Sequence, residues 1–404
     1  QNGFRKNRSC STALLTMITR LRTERRKKFR GVLLYDLSAA YDVLSPELFL
    51  EKAKLIGVRG RSLAWLASYL SERSQVVQVN EALSQPLQLK AGTPQGSSCS
   101  CLVFALFVGD VELWIDDGYV IAYADDTMIQ VEANTLDELR NKLKIEGEKI
   151  LSFFASNKLV ANPSKTGLLI FRPTQQRTSK GTTSIELGNE TITESDEQKV
   201  LGVVISKDLK WNSQTEKVKN ECLYRLSIIR RLRKYLSNRQ LKTVSEGLIF
   251  SRIQYCLPVW GVDFIRLNET DPISAIAHEL QVVQNDTLRI LTRNKRSDHV
   301  RITDMLSSTK MLSVNQLAAY GTLLEIWKAK AFCVPHLATL LQRTRRDERQ
   351  LRSDSANHLQ AAITEPFTIC AEKLWNLSSD RFKETRLLSV AKTEAKKTAS
   401  QLPI

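Results

Sequence analysis

Three aspartates in apolar, β-rich surroundings are the residues best suited to do chemistry. Asp36 lies near the end of the run 31–37, and Asp125 and Asp126 lie side by side in the stretch 119–131. Burying carboxylates among apolar side chains is costly, and divalent cations such as Mg²⁺ offset that cost. Two ions roughly 3.5–4 Å apart can activate an attacking hydroxyl and stabilise the leaving oxygen of an in-line phosphoryl displacement. The three acids therefore predict a site for two Mg²⁺ ions, with Mn²⁺ as a substitute.

Each acid has a simpler interpretation when it is taken alone. An Asp-Asp pair is more often a polar hairpin turn than a metal site, and Asp36 by itself is typical of a strand-end cap. The prediction of a metal site therefore depends on all three carboxylates meeting in the fold.

The stretches around the acids indicate the elements that must position them. The short apolar run 31–37 predicts a buried strand, and 119–131 predicts a hairpin with the paired acids at its turn. Further strands are predicted at 168–171 and 200–205, and a second hairpin from 75–79 and 86–90. Helical periodicity and cap residues predict helices at 9–26, from Ser45 to Gly57, and at 61–70, 102–114 and 136–157.

Beyond residue 211 the periodicity indicates helices, among them 222–236, 280–291 and 312–331. The sequence therefore predicts an α+β fold with an antiparallel core sheet and a helical C-terminal region. We expect four parts, at 1–30, 31–210, 211–300 and 301–404.

Charge points to a polyanionic partner. The chain has 404 residues, and its 59 Lys and Arg against 43 Asp and Glu give a net charge of +16. A basic protein with a solvated surface would have the same total, but the cations are concentrated. Ten of them lie within 5–30 with one acid among them, at Arg5, Lys6, Arg8, Arg20, Arg22, Arg25, Arg26, Lys27, Lys28 and Arg30. Such a run repels itself unless phosphates or counterions lie against it, so nucleic acid is the expected partner.

Other features of the composition exclude several classes of protein. The seven cysteines are scattered and lack zinc-site spacing, which is typical of reduced thiols in an intracellular protein. No apolar run is long enough to span a bilayer, so we expect no membrane partner. Because the chain begins at Gln1 inside a motif, we expect it to be a fragment of a longer polypeptide.

Several short motifs follow one another along the first 260 residues, and the set is more specific than any member. They lie at 1–9, 35–42, 92–97, 123–126, 162–166 and 201–202. In order and spacing they resemble those of the reverse transcriptases of non-LTR (LINE-type) retrotransposons. The resemblance weakens beyond Trp260. It implies a right-hand polymerase with partial fingers at 1–30, an antiparallel-sheet palm with finger insertions at 31–210, an all-helical thumb at 211–300 and a helical C-terminal extension at 301–404. It also implies an RNA-directed DNA polymerase that uses an RNA template, a DNA primer and dNTPs.

The resemblance implies roles for residues around the acids. Asp36 and Asp125 would hold the metals, with the backbone carbonyl of Leu37 as a further ligand, and Asp126 would support the site as a third metal-binding acid. Tyr41 would lie under the incoming sugar and exclude a 2′-hydroxyl, although it is otherwise typical of a core aromatic.

Other roles are implied for residues farther along the chain. Gln95 and Gly96 would let the backbone approach the incoming nucleotide and the template. Arg5 and Arg8 would contact the triphosphate, since guanidinium suits phosphate oxygens, although solvated surface charges are equally typical. Lys165 would protonate the leaving pyrophosphate, unless it is simply exposed. Finally, Leu201 and Gly202 would grip the primer end.

One departure from the family pattern keeps two other hypotheses open. Where the family has a leucine and a proline after Gly96-Ser97, this chain has Cys99 and Cys101, which indicates an altered loop. A noncatalytic nucleic-acid-binding protein, decayed or domesticated, is one alternative. An RNA-dependent RNA polymerase is the other, and Tyr41 argues against it. In either case we expect an intracellular protein that works in the nucleus or cytoplasm as a ribonucleoprotein.

Overall fold

The computed structural model describes residues 1–23, 28–162, 165–173, 182–332, 335–343, 359–361 and 365–404. Two sequence features lie outside these ranges. They are residues 25–27 of the basic run that is expected to bind nucleic acid and residues 163–164 of the motif at 162–166. Packing divides the chain into two units. The first consists of Gln1–Ala13 and Glu24–Gln198, and the second of Leu14–Thr23 and Lys199–Ile404. The finer boundaries near 30, 210 and 300 stay a prediction.

The first unit contains the three aspartates. After α1 (Cys10–Arg22), which begins in this unit, its helices are α2 (Pro46–Leu55), α3 (Gly60–Leu70), α4 (Ser98–Phe107) and α5 (Leu136–Ser156). Its strands are β1 (Phe29–Tyr35), β2 (Arg73–Gln75), β3 (Gln78–Val79), β4 (Ala82–Leu83), β5 (Leu87–Leu89), β6 (Tyr119–Tyr123), β7 (Asp126–Ala133), β8 (Gly167–Phe171), β9 (Ser184–Leu187) and β10 (Glu190–Thr193), followed by β11 (Glu197–Val200) at its border. The mixture of helices and antiparallel strands is the predicted α+β class.

A four-stranded antiparallel sheet forms the centre of this unit, in the order β6-β7-β1-β8. Every residue of β1 is buried, as expected for an interior strand that is covered by neighbours and by a helix. Helix α5 packs closely on it, because a Cβ at Gly31 would lie 2.5 Å from Leu143. The Tyr35 hydroxyl also donates a 3.2 Å bond to the carbonyl of Gly147 in α5. The central strand, which leads to Asp36, is therefore fixed by backbone pairing and by side-chain packing.

Local sequence explains how two of the helices begin. Ser45 caps α2 and Pro46 follows it, as predicted, and Gly57 with φ +95° comes just after the helix ends. Thr135 caps α5 by accepting a hydrogen bond from the backbone of Glu138. A side-chain cap of this kind contributes about 1 kcal/mol to helix stability.

Three predicted elements differ from the structure. The predicted helix 102–114 is α4, which ends at Phe107, followed by a separate 3₁₀ turn at Val111–Trp114. The predicted strand 75–79 is interrupted, so that β2 pairs with β5 and β3 pairs with β4. The predicted strand 200–205 is two strands, because Leu201 (φ +45°) and Gly202 (φ +82°) adopt left-handed conformations that no strand accommodates.

The second unit is mainly helical. Its helices are α6 (Asn212–Leu232), α7 (Asn238–Ser245), α8 (Ser251–Gln254), α9 (Leu257–Trp260), α10 (Ala275–Thr292), α11 (Ile302–Thr309), α12 (Val314–Ala331), α13 (Pro335–Leu340), α14 (Pro366–Leu377), α15 (Asp380–Glu384) and α16 (Leu388–Ser400). It also has strand β12 (Val203–Ser206), which pairs with β11, and a short antiparallel hairpin of β13 (Leu341–Arg343) and β14 (Leu359–Ala361). In the described ranges of either unit, no helix combines the length and apolarity that crossing a bilayer requires.

Candidate active site

Strand register brings Asp36 next to Asp126. In the antiparallel pairing of β1 with β7, Tyr35 lies opposite Thr127, so the next step along both chains sets Asp36 opposite Asp126. Opposed residues in such ladders have Cα atoms about 4.5–5.5 Å apart. The pairing of β6 with β7 ends at Tyr123 and Asp126, which leaves Ala124 and Asp125 as the two-residue turn. The predicted hairpin with acids at its turn is thus present, and all three carboxylates lie at one edge of the sheet.

The backbone around Asp36 is held by a second segment. The amide of Asn162 donates a 2.8 Å bond to the carbonyl of Asp36, and the amide of Ser38 donates a 2.9 Å bond to Val160. These bonds form an isolated bridge between Leu37 and Ala161, and neither uses the carbonyl of Leu37. The expected role of that carbonyl as a metal ligand stays a prediction.

The charges of the three acids influence one another. The pKa of Asp126 is raised to about 6, mainly by burial and then by the negative charges of Asp125 and Asp36, while Lys165 acts in the opposite direction. The Lys165 ammonium donates a 2.8 Å hydrogen bond to Oδ2 of Asp36. That bond, with the attraction of Asp36, Asp125 and Asp126, raises the pKa of Lys165. Lys165 therefore partly neutralises the cluster of three carboxylates.

The donor set fits a divalent metal in its chemistry. Within the described ranges, no three His, Cys, Asp or Glu side chains already have a geometry that holds an ion. The acids are nevertheless hard oxygen donors at one sheet edge, and their neighbours disfavour the charged form of Asp126. A dication would favour that charged form. Asp36, Asp125 and Asp126 are thus the residues here that could hold Mg²⁺.

Tyr41 borders the acids and packs on helix α4. Its ring stacks on that of Phe104, with centroids 4.6 Å apart and planes inclined by 28°. The pKa of Tyr41 is raised to about 12, mainly by burial and then by the charges of Cys101 and Asp125. Within the described part of the chain the enclosed Tyr41 hydroxyl has no hydrogen-bond partner. Tyr41 is thus both a packed aromatic and a neighbour of Asp125, so the two interpretations of this residue are compatible.

The loop that contains Gln95 is fastened to the segment that follows Tyr41. The amide of Thr93 donates a 2.8 Å bond to the carbonyl of Tyr41, and the amide of Gly92 donates a 2.7 Å bond to Leu44. A Cβ at Gly92 would lie 2.7 Å from the carbonyl oxygen of Asp42, and its φ is +83°. Only glycine fits a backbone contact this close in that conformation. The loop and the Tyr41 segment therefore form one platform.

Two side chains that were not predicted as site residues complete this platform. The carboxylate of Asp42 accepts a 2.7 Å hydrogen bond from Nε2 of Gln95. The guanidinium of Arg73 donates bonds of 2.8 Å and 2.6 Å to the carbonyls of Ala91 and Gly92. Gly96 is exposed with φ +81°, and no atom would obstruct a Cβ there. The backbone conformation therefore explains why residue 96 is a glycine. The role of Gly96 beside the nucleotide stays a prediction.

An open cavity of about 620 Å³ lies beside this loop. Asp42, Arg73 and Gln95 line it, so both residues that sequence reasoning missed face it. Asp42 had one usable signal, since it is an acid next to the predicted sugar-contacting tyrosine. Arg73 had none, because an arginine that folds back on its own loop has no local pattern.

Arg5 and Arg8 form a pair of like charges on the segment before α1. Partial burial lowers the pKa of Arg8, and repulsion by Arg5 lowers it further. Among the described residues neither guanidinium has a carboxylate partner, and Arg5 donates only to the backbone carbonyl of Gln1, at 3.3 Å. Two repelling cations without a counter-charge favour the binding of an anion. Their role at a triphosphate stays a prediction.

The two predicted primer-grip residues lie in the second unit, at the turn between β11 and β12. The Tyr255 hydroxyl donates a 2.8 Å bond to the carbonyl of Leu201, and Lys217 donates a 2.9 Å bond to that of Gly202. A Cβ at Gly202 would lie 3.1 Å from the Tyr255 ring. The turn is therefore rigidly supported, and its contact with a primer stays a prediction.

The cysteines that depart from the family pattern do not prevent helix α4 from forming. Ser97 caps the helix by accepting a hydrogen bond from the amide of Cys99. Cys99 packs against the core of the first unit, while Cys101 is close enough to Tyr41 to affect its pKa. The helix therefore begins here without the leucine and the proline.

Comparison with known proteins gives a consistent result. A family model described as "Reverse transcriptase (RNA-dependent DNA polymerase)" matches residues 1–205. A curated relative from Drosophila melanogaster, "Probable RNA-directed DNA polymerase from transposon BS", is 23% identical over 278 residues. That alignment covers 66% of this chain, and the chain spans 29% of the relative's length.

The solved structures to which this chain shows similarity include telomerases. The apo telomerase from Candida tropicalis has a TM-score of 0.38 at 12% identity, covering 84% of this chain and 56% of that chain. Telomerase from Candida albicans, in complex with a fragment of telomeric RNA, has a TM-score of 0.31 at 15% identity, covering 82% and 52%.

Proposed function

Because the chain belongs to the reverse transcriptase family, we propose that it is an RNA-directed DNA polymerase that adds dNTPs to a primer 3′-hydroxyl. The observation that carries this proposal is the cluster of Asp36, Asp125 and Asp126 at one sheet edge, with Tyr41 beside it. Polymerisation is an in-line phosphoryl transfer, and carboxylates that hold two divalent ions suit it. The transposon relative supports the same activity.

The acids and the nearby basic residues have different roles in this reaction. Asp36 and Asp125 would hold Mg²⁺, and Asp126, opposite Asp36 in the sheet, would support the site. Mg²⁺ held there would supply activation of the primer hydroxyl and stabilisation of the leaving oxygen. Lys165, whose raised pKa keeps it protonated at neutral pH, is the proton donor for the leaving pyrophosphate. The repelling pair of Arg5 and Arg8 binds the triphosphate.

Tyr41 selects deoxynucleotides. The Tyr41 ring is held in place by stacking on Phe104, so a sugar that lies on the ring cannot displace it. A 2′-hydroxyl would meet this ring, and the product is therefore DNA. The platform formed with Gln95 and Gly96 places the loop backbone against the nucleotide and the template, while Leu201 and Gly202 contact the primer.

We assign the chain more finely to a non-LTR mobile element. The order of its motifs supports this assignment, as does the transposon relative. Its partners are then an RNA template and a DNA primer, and the charge of +16 favours binding to nucleic acid. We place the resulting ribonucleoprotein inside the cell, in the nucleus or cytoplasm.

Primer extension tests the proposal. The 404-residue chain is incubated with poly(rA)/oligo(dT), dTTP and Mg²⁺, and incorporation is compared between wild type and Asp125→Asn. We expect Asp125→Asn to lose at least about a hundredfold in rate, since electrostatic contributions of this kind have that size. The matched control is Asp137→Asn, whose side chain is 89% exposed on α5 and should leave the rate unchanged. Equal incorporation by wild type and Asp125→Asn would rule the proposal out.

The same assay separates the two rival functions. An RNA-dependent RNA polymerase would incorporate UTP at least as well as dTTP, whereas we expect a strong preference for dTTP that Tyr41→Ala weakens. A noncatalytic protein would bind the primer-template, measured by fluorescence anisotropy, without extending it in either Mg²⁺ or Mn²⁺.

A further inference from the structure

Gln1 grips the turn that contains Asp125. Its side-chain Nε2 donates a 3.1 Å hydrogen bond to the carbonyl of Ala124, and the amide of Ala124 donates a 2.9 Å bond back to its Oε1. The amide of Gly3 donates to the same Oε1 at 2.8 Å, which orients the carboxamide. One side chain therefore satisfies both backbone polar groups of one turn residue.

The turn needs such a partner for two reasons. Ala124 and Asp125 lie beyond the last cross-strand pair, so the ladder supplies no bonds to Ala124. Ala124 also has φ +56°, a left-handed conformation that is unfavourable for a residue with a Cβ. A carboxamide carries a donor and an acceptor in one plane, so it can pair with an N–H and a C=O together.

The neighbouring backbone holds Gln1 in place. The amide of Asn2 donates a 2.6 Å bond to the carbonyl of Ala122, on the strand that leads into the turn. Gly3 is buried, and a Cβ there would lie 2.5 Å from the backbone nitrogen of Ala124. Residues 1–3 thus pack directly on the turn, and only glycine at position 3 permits that approach.

We infer that Gln1 is a positioning residue, which fixes the Ala124–Asp125 turn and through it the Asp125 carboxylate. This inference rests on the proposed function, because the position of the Asp125 carboxylate affects the rate only if that carboxylate takes part in polymerisation. Gln1 itself contacts neither substrate nor metal in this role. Displacing a catalytic group by about 1 Å can lower the rate by up to a hundredfold. Loss of the two hydrogen bonds between Gln1 and Ala124 therefore lowers kcat. It leaves KM for dTTP nearly unchanged, because no nucleotide contact is removed.

Two substitutions separate the two bonds. Gln1→Met keeps the length of the side chain and removes both bonds, whereas Gln1→Glu keeps the acceptor for the Ala124 amide and removes the donor to its carbonyl. Asn2→Leu is the matched control, because it removes a neighbouring carboxamide of similar shape that makes no hydrogen bond with any described residue and leaves the Asn2 amide bond intact. Hydrogen exchange is followed in peptides that cover 122–127, and kcat and KM are measured by primer extension.

We expect the Ala124 amide to exchange at least about tenfold faster in Gln1→Met and to stay protected in Gln1→Glu and Asn2→Leu. We expect kcat to fall about tenfold or more in Gln1→Met with KM changed less than twofold. Unchanged exchange in Gln1→Met would overturn the inference, and so would faster exchange with an unchanged kcat. If the wild-type chain does not extend primers, the proposed function and the catalytic half of the inference fail together. The exchange data then still decide whether Gln1 holds the turn.

Discussion

The ammonium of Lys165 donates a 2.8 Å hydrogen bond to the carboxylate of Asp36, which lies 129 positions away in the sequence. The lysine therefore neutralises a group that the proposed reaction assigns to a metal ion. In the proposed reaction Lys165 has two opposite effects. It weakens metal binding, because it competes with the metal for Asp36, and it raises the rate, because it donates a proton.

Replacing Lys165 by methionine should separate these two effects. Without the ammonium the acids attract Mg²⁺ more strongly, so half-maximal activity should occur at lower Mg²⁺. The maximal rate should fall by about a hundredfold, because general acid catalysis commonly contributes that much. Mg²⁺ titrations of primer extension measure both quantities. Lys144→Met, an exposed lysine on α5, is the control. A lower rate with an unchanged or higher Mg²⁺ requirement would contradict the competition.

Asp126 should destabilise the metal-free fold at neutral pH. Its folded pKa of about 6 lies above its ordinary value of 3.8, so the folded chain holds this proton more tightly than the unfolded chain. The cost is therefore absent below about pH 4, grows as the pH rises from about 4 to 6, and is complete above about pH 6. After allowing for solvent screening, we expect Asp126→Asn to gain about 1–2 kcal/mol at pH 7.5 in EDTA.

Urea denaturation in EDTA at pH 7.5 and pH 4 measures this gain. The stabilisation by Asp126→Asn should vanish at the lower pH, and Asp137→Asn should show no such dependence. An equal gain at both pH values would mean that packing, not charge, is responsible.

Gly92→Ala should disrupt the platform under the proposed nucleotide site. The alanine meets the Asp42 backbone at 2.7 Å and must adopt φ +83°, whereas Gly57→Ala has a similar φ of +95° but open space around its Cβ. Both variants incur the conformational cost of about 1–3 kcal/mol, and only Gly92→Ala adds the clash. Thermal melting should therefore show a larger drop for Gly92→Ala. Primer extension should fail in Gly92→Ala alone, and equal losses in both variants would argue against the clash.

Cys222 and Cys370 should resist alkylation in the folded chain. Burial raises the pKa of Cys222 to about 11 and that of Cys370 to about 12, so very little thiolate is present at pH 8. Mass spectrometry after treatment with iodoacetamide should find the buried Cys222 unmodified, and Cys370, which is partly exposed like Cys10, modified more slowly than Cys10. In urea all three should react alike. Early labelling of Cys222 would show that the second unit opens readily.

Some of the fold and of the site could be predicted from local sequence. Ser45 and Pro46 start a helix through contacts within one turn, and the apolar halves of 119–131 pair through a short turn. Local rules also found the three acids and the α+β class, and the predicted membership of the reverse transcriptase family is confirmed by the family match over residues 1–205. These inferences succeed because neighbours in the chain decide the geometry.

Local rules failed where backbone conformation overrides composition. The apolar run 200–205 has the composition of one strand, yet Leu201 and Gly202 break it with left-handed backbone. Helix α4 ends at Phe107, where Val108 (φ −96°, ψ 4°) leaves the helical conformation and Gly109 follows. At Leu201 and Gly202, two left-handed φ angles outweigh the β preference of the residues around them.

The sequence by itself determined which three acids form the candidate site and most of the elements that hold them. Only the tertiary structure decided the partners: Lys165 with Asp36, Asp42 with Gln95, Arg73 with its own loop, and Gln1 with Ala124. The physical reason is range. Helices, strands and turns are set by neighbours a few residues apart, whereas a hydrogen bond between residues 123 positions apart exists only after the sheet has set its register.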